Sequence, residues 1–229
     1  MRVRPTSVRP SLDPYEVLRG KDEGPTIAGT GLLGLAQSVS LYFAPAHDER
    51  EVIRQAGISV LNRFGLDPCT RAQAAAHEAG HVVVARVLRA TIRGARITRC
   101  VELGRDVWIG SNDYTPARGY GMATASQDPS LAMRSAAHNL AGFAGEHFAG
   151  LAHPSSSIDE RCIAWRICQA LSEIGDASTE QVESEIWCFC IAALERNRIA
   201  FDAVRGHLYR QRRLTKAEAD RMLAGVCAP

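Results

Sequence analysis

The chain of 229 residues carries little net charge: 27 Lys and Arg stand against 25 Asp and Glu, a formal +2. No whole-molecule field therefore draws it to nucleic acid or to an anionic membrane. It also lacks the paired cysteine spacings of a zinc ribbon. Its seven cysteines (69, 100, 162, 168, 188, 190 and 227) are odd in number and scattered, so they read as small core fillers and free thiols of a reducing, cytoplasmic compartment. Cys188 and Cys190 stand two apart in a helical stretch, where their side chains point to different faces. A long, pure apolar run is missing as well. The nearest approach, residues 26–45, is diluted by three Gly, two Ser, two Thr and a Gln, which speaks against a membrane span. Ala44-Pro45-Ala46 imitates a signal-peptidase site, but the region before it is too long and too acidic for a secretory leader. No internal repeat and no G-x-x-x-x-G-K-[ST] phosphate loop occurs in these residues. Histidine is scarce too, with seven residues at 47, 77, 81, 138, 147, 153 and 207, so two of them four apart stand out.

The length suits one principal domain with an appendage. Residues 1–46, rich in Pro and Arg at the start, are expected to form a poorly ordered extension, and residues 47–229 the domain. Residues 48–64 have helical apolar spacing and are stopped by Gly65-Leu66-Asp67-Pro68. Thr70 with Gln73 forms a capping-box pair that predicts a helix from 71 to about 89, with a small, β-branched apolar face. Residues 91–126 have strand composition and Gly punctuation and predict a small sheet. Asp128-Pro129 opens a helix to about Leu151, and Ile158–Ile174 reads as the next. Ser178 with Gln181 caps a helix through about Ile199, and Thr215 with Glu218 caps the last one. The expected class is mainly α (α+β), helices with a small sheet beside the 71–89 helix.

That helix carries His77-Glu78-Ala79-Gly80-His81, an H-E-x-x-H pattern. Spacing of four puts both imidazoles on one face, one turn apart, where two nitrogens reach a single zinc ion. Glu78 projects beside that ion, placed to take a proton from an attacking water and pass it to a leaving amine. A buried Glu between two buried His in an alanine-rich helix would cost several kcal/mol without such a partner. A catalytic zinc needs a third protein ligand. The extended motif fails, because Val84 and Val87 occupy its Gly and His positions; the candidates elsewhere are Glu102, Glu146, His147, His153 and Asp159. Glu146 is either a carboxylate that orients a ligand histidine or one at the core edge.

The string AAAHEAGHVVVARVL resembles the zinc helix of the FtsH-type ATP-dependent zinc metalloproteases, which also read H-E-A-G-H before a small apolar run. LAGFAGEHFAG (140–150) resembles that family's L-G-G-R-A-A-E-E helix. SSSIDERCIAWRICQAL resembles its T-G-A-S-N-D-L-x-x-A-T segment, and residues 193–223 its closing helices. The resemblance covers about residues 70–225 and implies a peptidase fold with zinc on His77, His81 and Asp159, Asp159 matching the family's third ligand. The Leu that follows this aspartate in the family is Glu160 here, and the 69 residues before the helix are too few for the family's ATPase module. ATP-driven unfolding is not implied.

Other patterns carry less. Gly29-Thr30-Gly31-Leu32-Leu33-Gly34 matches a dinucleotide fingerprint but has no strand before it, so it reads as a loop or Gly-spaced helix. Arg210, Arg212, Arg213 and Lys216 read as a solvated helix end, not a nucleic-acid surface, and His138 and His207 as ordinary hydrogen-bonding histidines on helical surfaces. The expected function is zinc-dependent endopeptidase activity on polypeptides, with an extended substrate pairing along an edge strand within 107–126. A separate ATPase partner and self-association are both compatible. The rival reading is a zinc-stabilised adaptor without turnover, against which the intact Glu78 argues, since structural zinc needs no base.

Overall fold

The computed structural model describes residues 69–102, 105–115, 125–152 and 157–229, with the side chains of residues 102, 105, 115, 158 and 159 excepted. The extension, the 48–64 helix and the glycine pattern at 29–34 lie outside the described residues. Among the described residues, six helices and a small antiparallel sheet follow in the order α1 (Arg71–Val87), β1 (Thr91–Glu102), β2 (Arg105–Thr115), α2 (Pro129–Phe148), α3 (Ile158–Ser172), α4 (Thr179–Arg196), α5 (Arg198–Gln211), β3 (Arg213–Thr215) and α6 (Lys216–Met222). The mainly helical α+β class expected from the sequence is the class observed. No helix among the described residues is long and apolar enough to cross a membrane.

The helix starts follow from local chemistry. Thr70, Ser178 and Thr215 each accept from the backbone N–H three residues on, while Gln73, Gln181 and Glu218 reach back to the cap's own N–H. Asp128 caps α2 through Leu131 N, with Pro129 at the first helical position. Two helices end a few residues before the positions suggested by periodicity, because Arg89 (φ 64°) and Gly150 (φ 69°) enter the left-handed region and turn the chain away. The predicted 178–199 helix is interrupted at Asn197. This buried amide donates to the carbonyls of Ala193 and Cys227 and accepts from Cys227 N. Satisfying three polar groups there ends α4, starts α5 and ties down the C-terminal tail.

α1 is buried along most of its length and packs on α2, on the sheet and on α5. The crossing with α2 is unusually close. A Cβ at Gly80 would stand 2.2 Å from the carbonyl oxygen of Ala141, and one at Gly145 2.4 Å from that of Ala76. Only glycine fits at either position, so the H-E-A-G-H and L-A-G-F-A-G-E segments interlock backbone to backbone. On the other side of α1 lies the sheet, in the order β2-β1-β3, its inner face contributing Ile92, Ala95, Ile97 and Leu214 to the core. β2 is an edge strand in this sheet. Cys168 and Cys190 are buried, whereas Cys188 and Cys227 are exposed; none of the seven cysteines is in a disulfide.

Candidate metal centre

α1 brings His77 and His81 together as the spacing requires. Their Nε2 atoms are 3.0 Å apart, and both rings pack beside Gly142 of α2, where a Cβ would stand 2.5 Å from His77 Nε2 and 2.6 Å from His81 Nε2. A third donor comes from the first turn of α3. Glu160 places Oε1 3.2 Å from His81 Nε2 and Oε2 3.3 Å from His77 Nε2. Donors about 2.0–2.2 Å from one tetrahedral ion stand roughly 3.3–3.6 Å from each other, so these three groups have nearly the mutual spacing of a zinc ligand set. Two of their atoms, His81 Nδ1 and Glu160 Oε2, are buried without a hydrogen-bond partner. An orphaned carboxylate oxygen beside two converging imidazole nitrogens fits a cation. His81 is 2% exposed, His77 16% and Glu160 27%, so the group opens to solvent on the side of His77 and Glu160.

The surroundings prepare His77 for that role. Its Nδ1 faces Glu146 Oε1 at 2.8 Å and Ser157 Oγ at 3.0 Å, both able to accept the Nδ1 proton. A carboxylate acceptor at Nδ1 calls for an N–H there, which leaves Nε2 as the ring nitrogen turned to His81 and Glu160. Glu146 is wholly buried, so of its two sequence readings the one realised is the carboxylate that orients a histidine. Ser157 has φ 59° and caps no backbone N–H of α3; its side chain is turned to His77 instead. Backbone strain of about 1–3 kcal/mol at a non-glycine residue in this region is a common mark of a functional site.

Electrostatics couple the group tightly. Burial works to lower the His77 pKa, yet the Glu160 and Glu146 carboxylates outweigh it and hold it well above the ordinary value. Burial works to raise the Glu160 pKa, but His81 and His77 overcome it and hold the carboxyl well below the usual range. Glu78 behaves differently. Burial pushes its pKa up, opposed by His77, His81 and the hydrogen bond from Asn112, and the net direction is upward. It is 2% exposed, accepts from Asn112 Nδ2 at 3.0 Å, and lies so near β2 that a Cβ at Gly110 would come within 2.0 Å of Oε1. A carboxylate held just outside the three-donor group, with a raised proton affinity, can act as an acid–base.

The placement of each candidate is now plain. His77, Glu78 and His81 lie together on α1, with Glu146 behind His77. Among the described side chains Glu160 is the carboxylate beside both imidazoles, at the place that the family resemblance gave to Asp159. The side chains of Asp159 and Glu102, and all of His153, lie outside the described residues. His147 instead packs edge-on against Trp187, ring centroids 5.5 Å apart. His207 lies by the Arg213 carbonyl, as an ordinary hydrogen-bonding histidine does. His138 corrects the surface reading: it is 8% exposed, its ring 4.9 Å from that of His81 and 4.1 Å from that of Tyr114. Burial, then the neighbouring His81, push its pKa down to about 3, so it lines the site as a neutral imidazole. Burial and then Glu160 push Tyr114 up to about 12. Glu160, Asn112, Ser157 and Tyr114 were not identified as site residues from the sequence. Glu160 had a signal, being the carboxylate next to the one chosen, but adjacent helical residues differ by about 100° in direction and only the entry geometry at Ser157 selects between them. No protein-family model matches the chain, and no curated protein matches it.

Proposed function

We propose that this chain is a zinc-dependent endopeptidase that acts on extended polypeptide and encodes no motor in these residues. The observation that carries the reading is the convergence of His77, His81 and Glu160 with Glu78 held 2% exposed at their side. The ligand set is taken as His77, His81 and Glu160, in place of Asp159. A zinc ion held there would supply a Lewis acid for the scissile carbonyl and lower the pKa of the attacking water.

The chain's own residues do the rest. Glu146 fixes the tautomer and angle of His77. Glu78 accepts the proton of the attacking water on its carboxylate, and its raised proton affinity suits it to hold that proton and deliver it to the leaving nitrogen. Asn112 holds the Glu78 carboxylate in one orientation by donating to Oε2. The substrate is positioned by β2. Trp108 N donates to the Cys69 carbonyl, outward from the sheet, so alternation sends the backbone groups of Gly110 and Asn112 outward too. A peptide strand added to that edge would run directly past Glu78.

The test is zinc analysis of purified protein alongside cleavage of an unfolded chain such as casein. Wild type is expected to hold about one zinc per chain and to cleave without ATP. Glu78→Gln is expected to keep the zinc and lose about 10²–10⁴ in rate. Full zinc with no cleavage by wild type would overturn the peptidase reading and favour a zinc-stabilised adaptor or an enzyme dependent on a separate ATPase.

A further inference from the structure

At the Trp108 end of β2, several arginines gather around two aromatic rings. The Arg71 guanidinium carbon lies 5.2 Å from the centroid of Trp108 and 4.9 Å from that of Tyr209, and Arg212 covers Trp108 at 5.4 Å. Arg71 Nη2 donates to the Arg210 carbonyl, and Arg71 Nε is buried with no partner. Arg212 is fixed in turn, as the left-handed cap of α5 whose carbonyl accepts from Ile97 N. Arg210 and Arg212 are exposed, and Tyr209 is 48% exposed. Among the described residues, no carboxylate pairs with Arg71, Arg210 or Arg212. Arg71 and Arg212 are thus brought together on Trp108 from distant parts of the sequence with no carboxylate partner among the described residues, whereas the Arg210 guanidinium lies one turn back along α5, beside Gly206.

Stacking on a ring fixes the plane of a guanidinium and leaves its N–H edges free, and that fork matches a carboxylate. The position of the cluster matters equally. Trp108 precedes Gly110, the residue against Glu78, by two positions, a span of about 7 Å along a strand. Resting on the reading of β2 as the substrate edge, we infer that Arg71 and Arg212 form a specificity site for acidic side chains of the polypeptide substrate, two to four residues from the bond to be cut. A single-stranded nucleic acid fits the cluster less well. Its bases would need open aromatic faces, and Trp108 and Tyr209 already carry guanidiniums.

The experiment uses the zinc-loaded full chain as the Glu78→Gln variant, so that binding is read without turnover. Fluorescence anisotropy compares two labelled unfolded peptides that differ only in Asp and Glu against Asn and Gln flanking one cleavable bond. The acidic peptide is expected to bind about tenfold more tightly at low salt, and the difference is expected to shrink as salt screens it. Arg212→Asn tolerates the left-handed backbone and removes the exposed guanidinium over Trp108; it is expected to remove most of the preference. Arg71→Lys keeps the charge but not the fork, and is expected to lose part of it. Equal affinity for the two peptides, no binding of either, or a preference untouched by both substitutions would overturn the inference. So would tighter binding of an unstructured oligonucleotide at equal charge. Acidic preference in binding combined with no cleavage by wild type would leave the specificity site standing and remove the peptidase reading instead.

Discussion

The two walls of the candidate centre are built on different terms. One is helical: α1 and α2 cross through Gly80, Gly142 and Gly145, and their side chains deliver His77, Glu78, His81 and Glu146 from a nearly solvent-free contact. The other is assembled from a strand and a helix start. There Gly110 and Asn112 of β2 hold Glu78, while Ser157 and Glu160 reach the histidines from the entry to α3. The helical wall is rigid because backbone meets backbone, and a 1 Å shift there has nowhere to go. The second wall depends on single hydrogen bonds and on one left-handed residue. Precision at the two histidines thus comes from packing, whereas Glu160 and Glu78 are set by polar contacts.

The largest effect that should separate the two walls comes from Gly80→Ala. A Cβ there meets the Ala141 carbonyl oxygen at 2.2 Å, so the helices must part. A loss on the order of 3 kcal/mol in chemical denaturation is expected, together with weakened zinc binding. Gly225→Ala is the control, since a Cβ there meets nothing within 4 Å, and its stability should stay within about 0.5 kcal/mol of wild type. Equal tolerance at both positions would show that the crossing is not rigid.

Glu146→Gln comes next. It keeps the shape of the helical wall but replaces the acceptor at His77 Nδ1 with a neutral amide. Zinc affinity is expected to fall by about 10–100-fold with the fold intact by circular dichroism. Ser157→Gly tests the second wall. It relieves the positive φ and removes the hydroxyl near His77, so stability should lie within about 1 kcal/mol of wild type while zinc affinity still declines. A stability loss with unchanged zinc affinity would make Ser157 a structural cap only.

The same contrast explains what could be read in advance. Capping boxes at Thr70, Ser178 and Thr215, and the four-residue histidine spacing, are local patterns whose chemistry acts within one turn. They were legible, and so was the mainly helical class with its small sheet. Glu160 was not singled out because a rotation of about 100° per residue depends on how the chain enters α3, and the Asp159 side chain lies outside the described residues. His138 read as a surface residue because only the packing of β2 against α2 brings Tyr114 over it. The arginine cluster was invisible for a similar reason: Arg71 and Arg210 are 139 residues apart in sequence.

A smaller effect concerns His138 itself. Its folded pKa, about 3, lies below the ordinary 6.5, so the unfolded chain takes up the proton first as pH falls. Its contribution to stability is complete above about pH 6.5 and is lost progressively as pH drops toward 3. His138→Phe should flatten the decline of melting temperature across that interval. An unchanged slope would mean that His138 is not held neutral.

The third ligand is the most direct point of attack. Competitive zinc titration of wild type, Glu160→Gln and Asp159→Asn reads it without any assay of activity. The expected result is at least a tenfold loss of affinity for Glu160→Gln and near wild-type affinity for Asp159→Asn, because Glu160 is, among the described side chains, the carboxylate within 3.3 Å of both imidazoles. Loss with Asp159→Asn and retention with Glu160→Gln would contradict the ligand set and with it the account of how the two walls meet.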